Sequence, residues 1–174
     1  MGVSNVFSLG RCTATFNSQD MGIVEQAKAT FDIQVAEVYS EAYASPVDAI
    51  NKGIKASVEF IISEQDFDVL ASLDGFTKVV GTATTGTKVT VGGVGGAAAT
   101  SGELTLVSSV TARQTVNDVT LHKAVMVNSQ PVIGWNPEEP AQKGFLVKFV
   151  GLVDSSKSDG DMVGSIGAND AAVS

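Results

Sequence analysis

The stretch Ala27-Lys-Ala-Thr-Phe-Asp-Ile-Gln-Val35 alternates apolar and polar residues along its whole length. Because successive side chains of a β-strand point to opposite faces, this alternation predicts a strand with one buried and one solvated face. The same pattern returns over residues 54–62, where only Ile61 breaks it. Strand register leaves each residue one face, so the apolar set, which includes Phe31, Ile33, Val58 and Phe60, is predicted to form core.

Residues 39–53 separate these two strands and exceed the two to five residues of a tight hairpin loop. The segment carries two tyrosines, an apolar pair and few glycines, which is typical of a loop that docks on another surface. We therefore predict a long inter-strand assembly loop. The alternative is a loop folded back over its own domain. The candidate contact residues are Tyr39, Tyr43, Pro46, Val47, Asp48 and Ile50.

Taken together with the rest of the sequence, these patterns predict that residues 1–174 form a single, mainly β domain. We expect a β-sandwich or barrel-like domain with one short flanking helix. Ser63 is a candidate cap for a helix over residues 64–73. Further strands are expected between short turn segments that contain glycine, serine and threonine. They span residues 77–80, 88–91, 103–110, 119–127 and 144–153. We expect an N-terminal arm at 1–12 and a polar C-terminal segment at 154–174.

Composition narrows the classes of function. The chain has 174 residues and a formal net charge of -8, which argues against a surface built to hold nucleic acid through clustered Lys and Arg. Its one cysteine, Cys12, can form no internal disulfide, so folding in a reducing cytoplasm is expected. We recognise neither a signal peptide nor a membrane span. We expect a protein that is soluble when made and has no membrane partner.

The sequence contains only weak matches to the motifs of catalytic, metal-binding and ligand-binding sites. The lone His122 lies in a strand-like segment and is predicted to be a solvated or core-edge residue, because a triad or zinc site needs partners that the sequence does not indicate. Residues 93–98 match G-x-G-x-x-A, but a strand rather than a helix is expected to follow. Neither the acidic pair Glu138-Glu139 nor the single Trp135 indicates a sugar site. We predict no catalytic residues, no metal and no cofactor.

The order of features resembles the tail tube proteins, or major tail proteins, of tailed bacteriophages. In the N-terminal half the resemblance rests on the first long strand, Ser45-Pro-Val-Asp48, Lys52-Gly53, the second strand and the Ser63-Glu64 helix start. In the C-terminal half it rests on His122-Lys-Ala124, Trp135, Phe145-Leu-Val-Lys-Phe149, Asp154 and Met162-Val-Gly-Ser-Ile-Gly167. Residues 81–102 match no feature of that family.

The resemblance implies a β-sandwich related to the tubes of contractile injection and type VI secretion systems, whose subunits form hexameric rings stacked into a tube with a β-barrel lumen. It implies a virion protein, assembled in the host cytoplasm, whose partners are its own copies and tape measure, terminator and baseplate or tip proteins. Double-stranded DNA would pass without specific binding. The residues predicted to line the lumen are Lys28, Thr30, Asp32, Gln34, Lys55, Ser57 and Glu59.

Alternatives stay open. Another virion protein, such as a tail terminator or a capsid decoration protein, or a secretion-system tube protein would share the architecture. A monomeric β-sandwich binding module is an alternative of another class, because a fold alone does not fix a function.

Overall fold

The fold is mainly β, as predicted, and its strands pair antiparallel. The computed structural model describes residues 3–39, 45–62, 67–71, 73, 76–82, 86–92, 98–109, 118–133 and 142–167. The described strands and helix are β1 (Val3–Phe16), β2 (Gln19–Tyr39), β3 (Pro46–Ile62), α1 (Phe67–Ala71), β4 (Phe76–Val79), β5 (Lys88–Val91), β6 (Ser101–Ser108), β7 (Val119–Ile133), β8 (Gln142–Gly151) and β9 (Gly164–Ile166).

The main sheet closes on itself. Its strand order is β6-β1-β2-β3-β8-β7-β9, and an additional pairing of β6 with β7 joins the first and sixth strands. The six strands therefore form a small closed barrel, and β9 extends it on the free part of the β7 edge. Closure hides backbone groups that a sheet edge would expose. The domain is thus of the barrel kind within the predicted sandwich or barrel-like class.

Three phenylalanines fill the barrel interior. The ring of Phe149 lies 4.8 Å from that of Phe16 and 5.8 Å from that of Phe60, measured between centroids. Interior positions near these rings are often alanine, including the buried Ala27, Ala29 and Ala56. Small residues beside large ones are what a narrow barrel needs, because its interior has room for few bulky side chains.

Two local features of β1 and β2 are not indicated by any alternation of apolar and polar residues in the sequence. Asn17 and Ser18, both with positive φ, form the two-residue turn that joins the strands. Farther along β2, Gly22 and Gln26 also have positive φ and coincide with shifts in pairing register. These bulges change the spacing of the buried residues from two to three. The buried residues of this segment are Met21, Val24 and Ala27.

The chain termini are built into the barrel as far as they are described. Residues 3–12 of the predicted arm belong to β1, which pairs with β2 and, from Cys12 onward, with β6. At the other end, β9 pairs with β7 at Val119–Leu121. The described part of the predicted C-terminal segment is therefore a loop followed by an added strand.

A small second layer consists of α1 and the two-stranded sheet of β4 and β5. The described helix lies within the predicted range of 64–73, and residues 63–66, which include the candidate cap Ser63, lie outside the described residues. Val69 on this helix and Leu73 just after it belong to the hydrophobic core cluster. The Lys78 ammonium contacts the Asp68 carboxylate, which ties β4 to the helix.

Candidate functional site

The β2–β3 hairpin extends beyond the barrel. β8 pairs with β3 only over Ala56–Ile62, and β1 pairs with β2 no farther than Ile33. The pairing of β2 with β3 nevertheless continues to Tyr39 and Pro46. Residues 34–39 and 46–55 therefore form a two-stranded projection, here called the ribbon. Six residues of β2 past Ile33 span about 20 Å at roughly 3.3 Å per residue.

The ribbon corrects the expectation of a loop over residues 39–53. Residues 46–53 belong to β3 and pair with β2, so they are strand and not loop, and residues 40–44 lie outside the described residues. Residues 45–53 are not folded back over the domain, because each of them is exposed. Pro46 and a register shift near Gly53 concealed the strand, since they disrupt the regular spacing on which a sequence pattern depends.

Five of the six predicted contact residues lie on this ribbon. Tyr39 is 62% exposed, Val47 51% and Ile50 58%. Pro46 and Asp48 are also exposed, and Tyr43 lies outside the described residues. Within the described part of the chain, no strand covers either outer edge of the ribbon. A large apolar side chain on an uncovered strand edge is a feature of surfaces that bind another chain.

The ribbon tip carries one local hydrogen bond with electrostatic consequences. The Tyr39 hydroxyl donates to Glu37 Oε2 at 2.6 Å, between residues that share one face of β2. This hydrogen bond lowers the pKa of Glu37 below its ordinary value of 4.5. It also raises the pKa of Tyr39, because ionising the phenol would remove the donor and add a second negative charge.

The seven residues predicted to line a lumen lie together on one face of β2 and β3. Directly opposite pairs are Lys28 with Glu59, Thr30 with Ser57, Asp32 with Lys55, and Gln34 with Gly53. We call this set the polar ladder. Lys28 Nζ lies 3.9 Å from Glu59 Oε1. Sequence reasoning missed one neighbour: Lys148 on β8 lies directly opposite Glu59 and is exposed.

The opposite face of the same strands is the core. Val58 and Phe60 are fully buried, while Phe31 is partly buried against the core cluster. Ile33 is half-buried, because the barrel ends near this point and the ribbon begins. The alternation in the sequence therefore divides polar from apolar side chains in the predicted register.

A cleft of ≈ 620 Å³ lies between the base of the ribbon and the segment around residues 153–164. Phe31, Ile54, Met162 and Val163 contribute apolar walls, and Gln34 and Lys55 contribute polar groups. One wall is the uncovered edge of β3, since β8 ends at the Ala56–Gly151 pair. The cleft thus belongs to the same projection as the exposed apolar residues.

The lone histidine is a core-edge residue, one of the two placements predicted for it. His122 Nε2 lies 2.9 Å from Asp161 Oδ1, and only 8% of the His122 side chain is exposed. Its Nδ1 is the buried side-chain nitrogen or oxygen that lacks a hydrogen-bond partner within the described residues. The contact fixes the loop between β8 and β9, which Asp154 N and Met162 O also close at 2.7 Å. Asp161 could not be identified beforehand, because it is 39 positions away.

The other residues considered as catalytic, metal-binding or ligand-binding candidates are not brought together with His122, or they lie outside the described residues. Cys12 is fully buried, and burial, with the nearby Asp118 carboxylate, raises the pKa of its thiol to about 12. The described residues contain no group of three or more His, Cys, Asp or Glu placed to hold a metal. They also include no helix with the length and apolar character needed to cross a bilayer. Residues 93–97, Trp135, Glu138 and Glu139 lie outside the described residues.

Comparisons with known proteins do not assign a family. No known family model matches the sequence, and no curated protein is detectably similar to it.

Proposed function

We propose that this chain is the structural subunit of a phage tail tube. Copies of it form hexameric rings that stack, and the polar ladder lines a lumen through which DNA passes during genome delivery. Its partners are other copies of itself and the tape measure, terminator and baseplate or tip proteins. It assembles in the host cytoplasm and resides in the virion tail.

The observation that carries the proposal is the ribbon. A two-stranded ribbon in water is marginally stable at best, because it buries little apolar surface and leaves both edges without partners. This ribbon also exposes Tyr39, Val47 and Ile50. Pairing with a neighbouring subunit would cover the edges and the apolar side chains together. A closed ring of subunits would remove these edges in every copy, as closure already does for the barrel.

The division of faces supports the assignment of the ladder to a lumen. A channel that conducts DNA needs a wetted, polar wall, whereas the opposite face of the same strands must remain packed on the core. β2 and β3 meet both conditions, since the polar ladder lies behind the buried Val58 and Phe60. The same geometry suits a secretion-system tube, so the molecule that passes through the lumen distinguishes a phage tail tube from a secretion-system tube.

Electron microscopy of the purified protein tests the proposal. We expect tubes or stacked rings from the full chain. Replacing residues 36–50 with Asn-Gly would join the paired residues Val35 and Asn51 by a two-residue turn and remove the ribbon tip. We expect this variant to be a folded monomer, because the barrel strands are unchanged.

A matched control shortens a different hairpin. Replacing residues 80–87 with Asn-Gly joins Val79 to Lys88, which are also directly paired, in the small sheet of β4 and β5. This control should still form tubes. Tubes from the ribbon-trimmed protein at the wild-type concentration would contradict the proposed role of the ribbon. Isolated rings from the full chain would favour a terminator, and stable monomers a binding module.

A further inference from the structure

The polar ladder places carboxylates directly opposite its lysines. Glu59 lies between Lys28 on β2 and Lys148 on β8, its directly opposite neighbours on the two sides. The distance from Lys28 Nζ to Glu59 Oε1 is 3.9 Å. On another rung, Asp32 lies opposite Lys55. Directly opposite residues in antiparallel strands have Cβ atoms about 5 Å apart, so each carboxylate is within side-chain reach of the facing ammonium.

The charged residues of the polar ladder, taken together with the neighbouring Lys148, are not a negatively charged set. Lys28, Lys55 and Lys148 contribute three positive charges, and Asp32 and Glu59 contribute two negative charges, which leaves +3 - 2 = +1. The formal charge of the whole chain, -8, is therefore located elsewhere. The net charge of these five residues therefore does not repel DNA, and the carboxylates that lie opposite the lysines are the groups that oppose phosphate binding there.

We propose that Glu59 and Asp32 mask three lysines, Lys28, Lys55 and Lys148, that would otherwise bind the DNA backbone. The inference rests on the proposed function for its biological meaning, because a conducting surface must not retain its cargo. Lysines that neutralise phosphates release condensed counterions, and this release drives sequence-independent binding. A carboxylate facing each lysine competes with the phosphate and repels it. Glu59 should weaken DNA binding more than Asp32 does, since Glu59 lies opposite two lysines and Asp32 lies opposite one.

The test compares Glu59→Gln with wild type in the unassembled full chain, using fluorescence polarisation of a labelled 30-base-pair duplex. We expect the dissociation constant of Glu59→Gln to be about 10-fold lower at about 20 mM salt. The plot of log affinity against log salt should become steeper by about 1.8, because two freed lysines would each add about 0.9 per phosphate contacted. Asp32→Asn, which frees one lysine, should give about half of that change in slope.

Glu103→Gln is the matched control. Glu103 is exposed on β6 and lies outside the ladder, and the substitution changes the net charge by the same amount. Equal gains for Glu59→Gln and Glu103→Gln would show a general charge effect and overturn the proposal. So would the absence of a gain in both Glu59→Gln and Asp32→Asn. Adding Lys28→Gln and Lys148→Gln to the Glu59→Gln chain should return the affinity to the wild-type value.

Microscopy of the same two proteins, at the higher concentrations at which assembly is expected, separates this inference from the proposed function. If the wild type forms tubes and Glu59→Gln gains no affinity, masking is wrong and the tube assignment stands. If no tubes form and Glu59→Gln binds DNA more tightly, masking is supported and the tube assignment fails.

Discussion

Strands β2 and β3 contribute to both the barrel and the ribbon, yet the two regions differ in whether their apolar side chains are buried. In the barrel half, the apolar residues of β3 other than Ile61 lie on one face and are fully buried, as in Val58 and Phe60. In the ribbon, Ile50 pairs with Ala36 on the side of the polar ladder, while Tyr39 lies on the other side. Both Ile50 and Tyr39 are exposed.

This difference separates two kinds of stabilisation. Buried apolar area stabilises the barrel within one chain, and each large side chain contributes roughly 1.5–3 kcal/mol. The ribbon gains less from such burial in the monomer, because its large apolar residues Val47, Ile50 and Ile54 are exposed. We therefore expect substitutions in the barrel to lower the free energy of unfolding, and substitutions in the ribbon to change assembly instead.

The largest effect is expected for Phe149→Ala. Phe149 is fully buried and its ring contacts both Phe16 and Phe60, so truncation leaves a cavity at the centre of the barrel. The free energy of unfolding should fall by about 3–5 kcal/mol in denaturant titrations. A loss under about 1 kcal/mol would mean that the barrel interior is not the source of the stability.

A smaller effect is expected for His122→Ala, which leaves Asp161 partly buried without its partner. We expect a loss of about 1–3 kcal/mol, with local loosening of the loop between β8 and β9 seen by hydrogen exchange. Asp161→Asn keeps an acceptor oxygen for the imidazole and should cost less than Asp161→Ala. Equal losses for the two Asp161 variants would argue against the hydrogen bond as the cause.

Ile50→Ala should have almost no effect on the monomer. The change is made on an exposed residue, so the free energy of unfolding should stay within about 0.5 kcal/mol of the wild-type value. The control is Ile62→Ala on the same strand, where the side chain is fully buried and about 2–5 kcal/mol should be lost. Light scattering should show weaker assembly for Ile50→Ala. Unchanged assembly would argue against Ile50 as a contact between subunits.

The smallest effect concerns the ribbon tip and its pH dependence. The folded pKa of Glu37 lies below 4.5, so the stabilisation by its hydrogen bond to Tyr39 is fully present above pH 4.5. It is lost as the pH falls through the folded pKa. Tyr39→Phe should shift the Glu37 pKa upward in an NMR titration of the carboxyl carbon. The Asp154 pKa, lowered by Ser156, should stay unchanged and is the internal control.

The sequence could predict the regular part of the fold because that part follows a simple period. Alternation identified the strand from Ala27 onward and assigned the polar ladder to one face. The earlier part of β2 escaped prediction, since the bulges at Gly22 and Gln26 change the spacing of its buried residues. The turn at Asn17-Ser18 also carries no glycine, the usual signal of such a turn.

The candidate site was partly predictable for a related reason. Contacts along two adjacent strands follow from register, whereas contacts between distant segments do not. Lys148 is a charged residue in an otherwise apolar segment, which was a usable signal, but its pairing with Glu59 requires the order of strands in the sheet. The partnership of His122 with Asp161 depends on a loop conformation that no local pattern encodes.

The burial of Cys12 makes the chain a convenient template for site-specific labelling. A thiol with a pKa of about 12 is almost wholly protonated at neutral pH, and maleimides react with the thiolate. Because Cys12 is the one cysteine of the chain, an introduced cysteine on the exposed ribbon would be the single reactive group. A fluorophore placed there in place of Val47 could report, by energy transfer between copies, how far apart neighbouring ribbons lie.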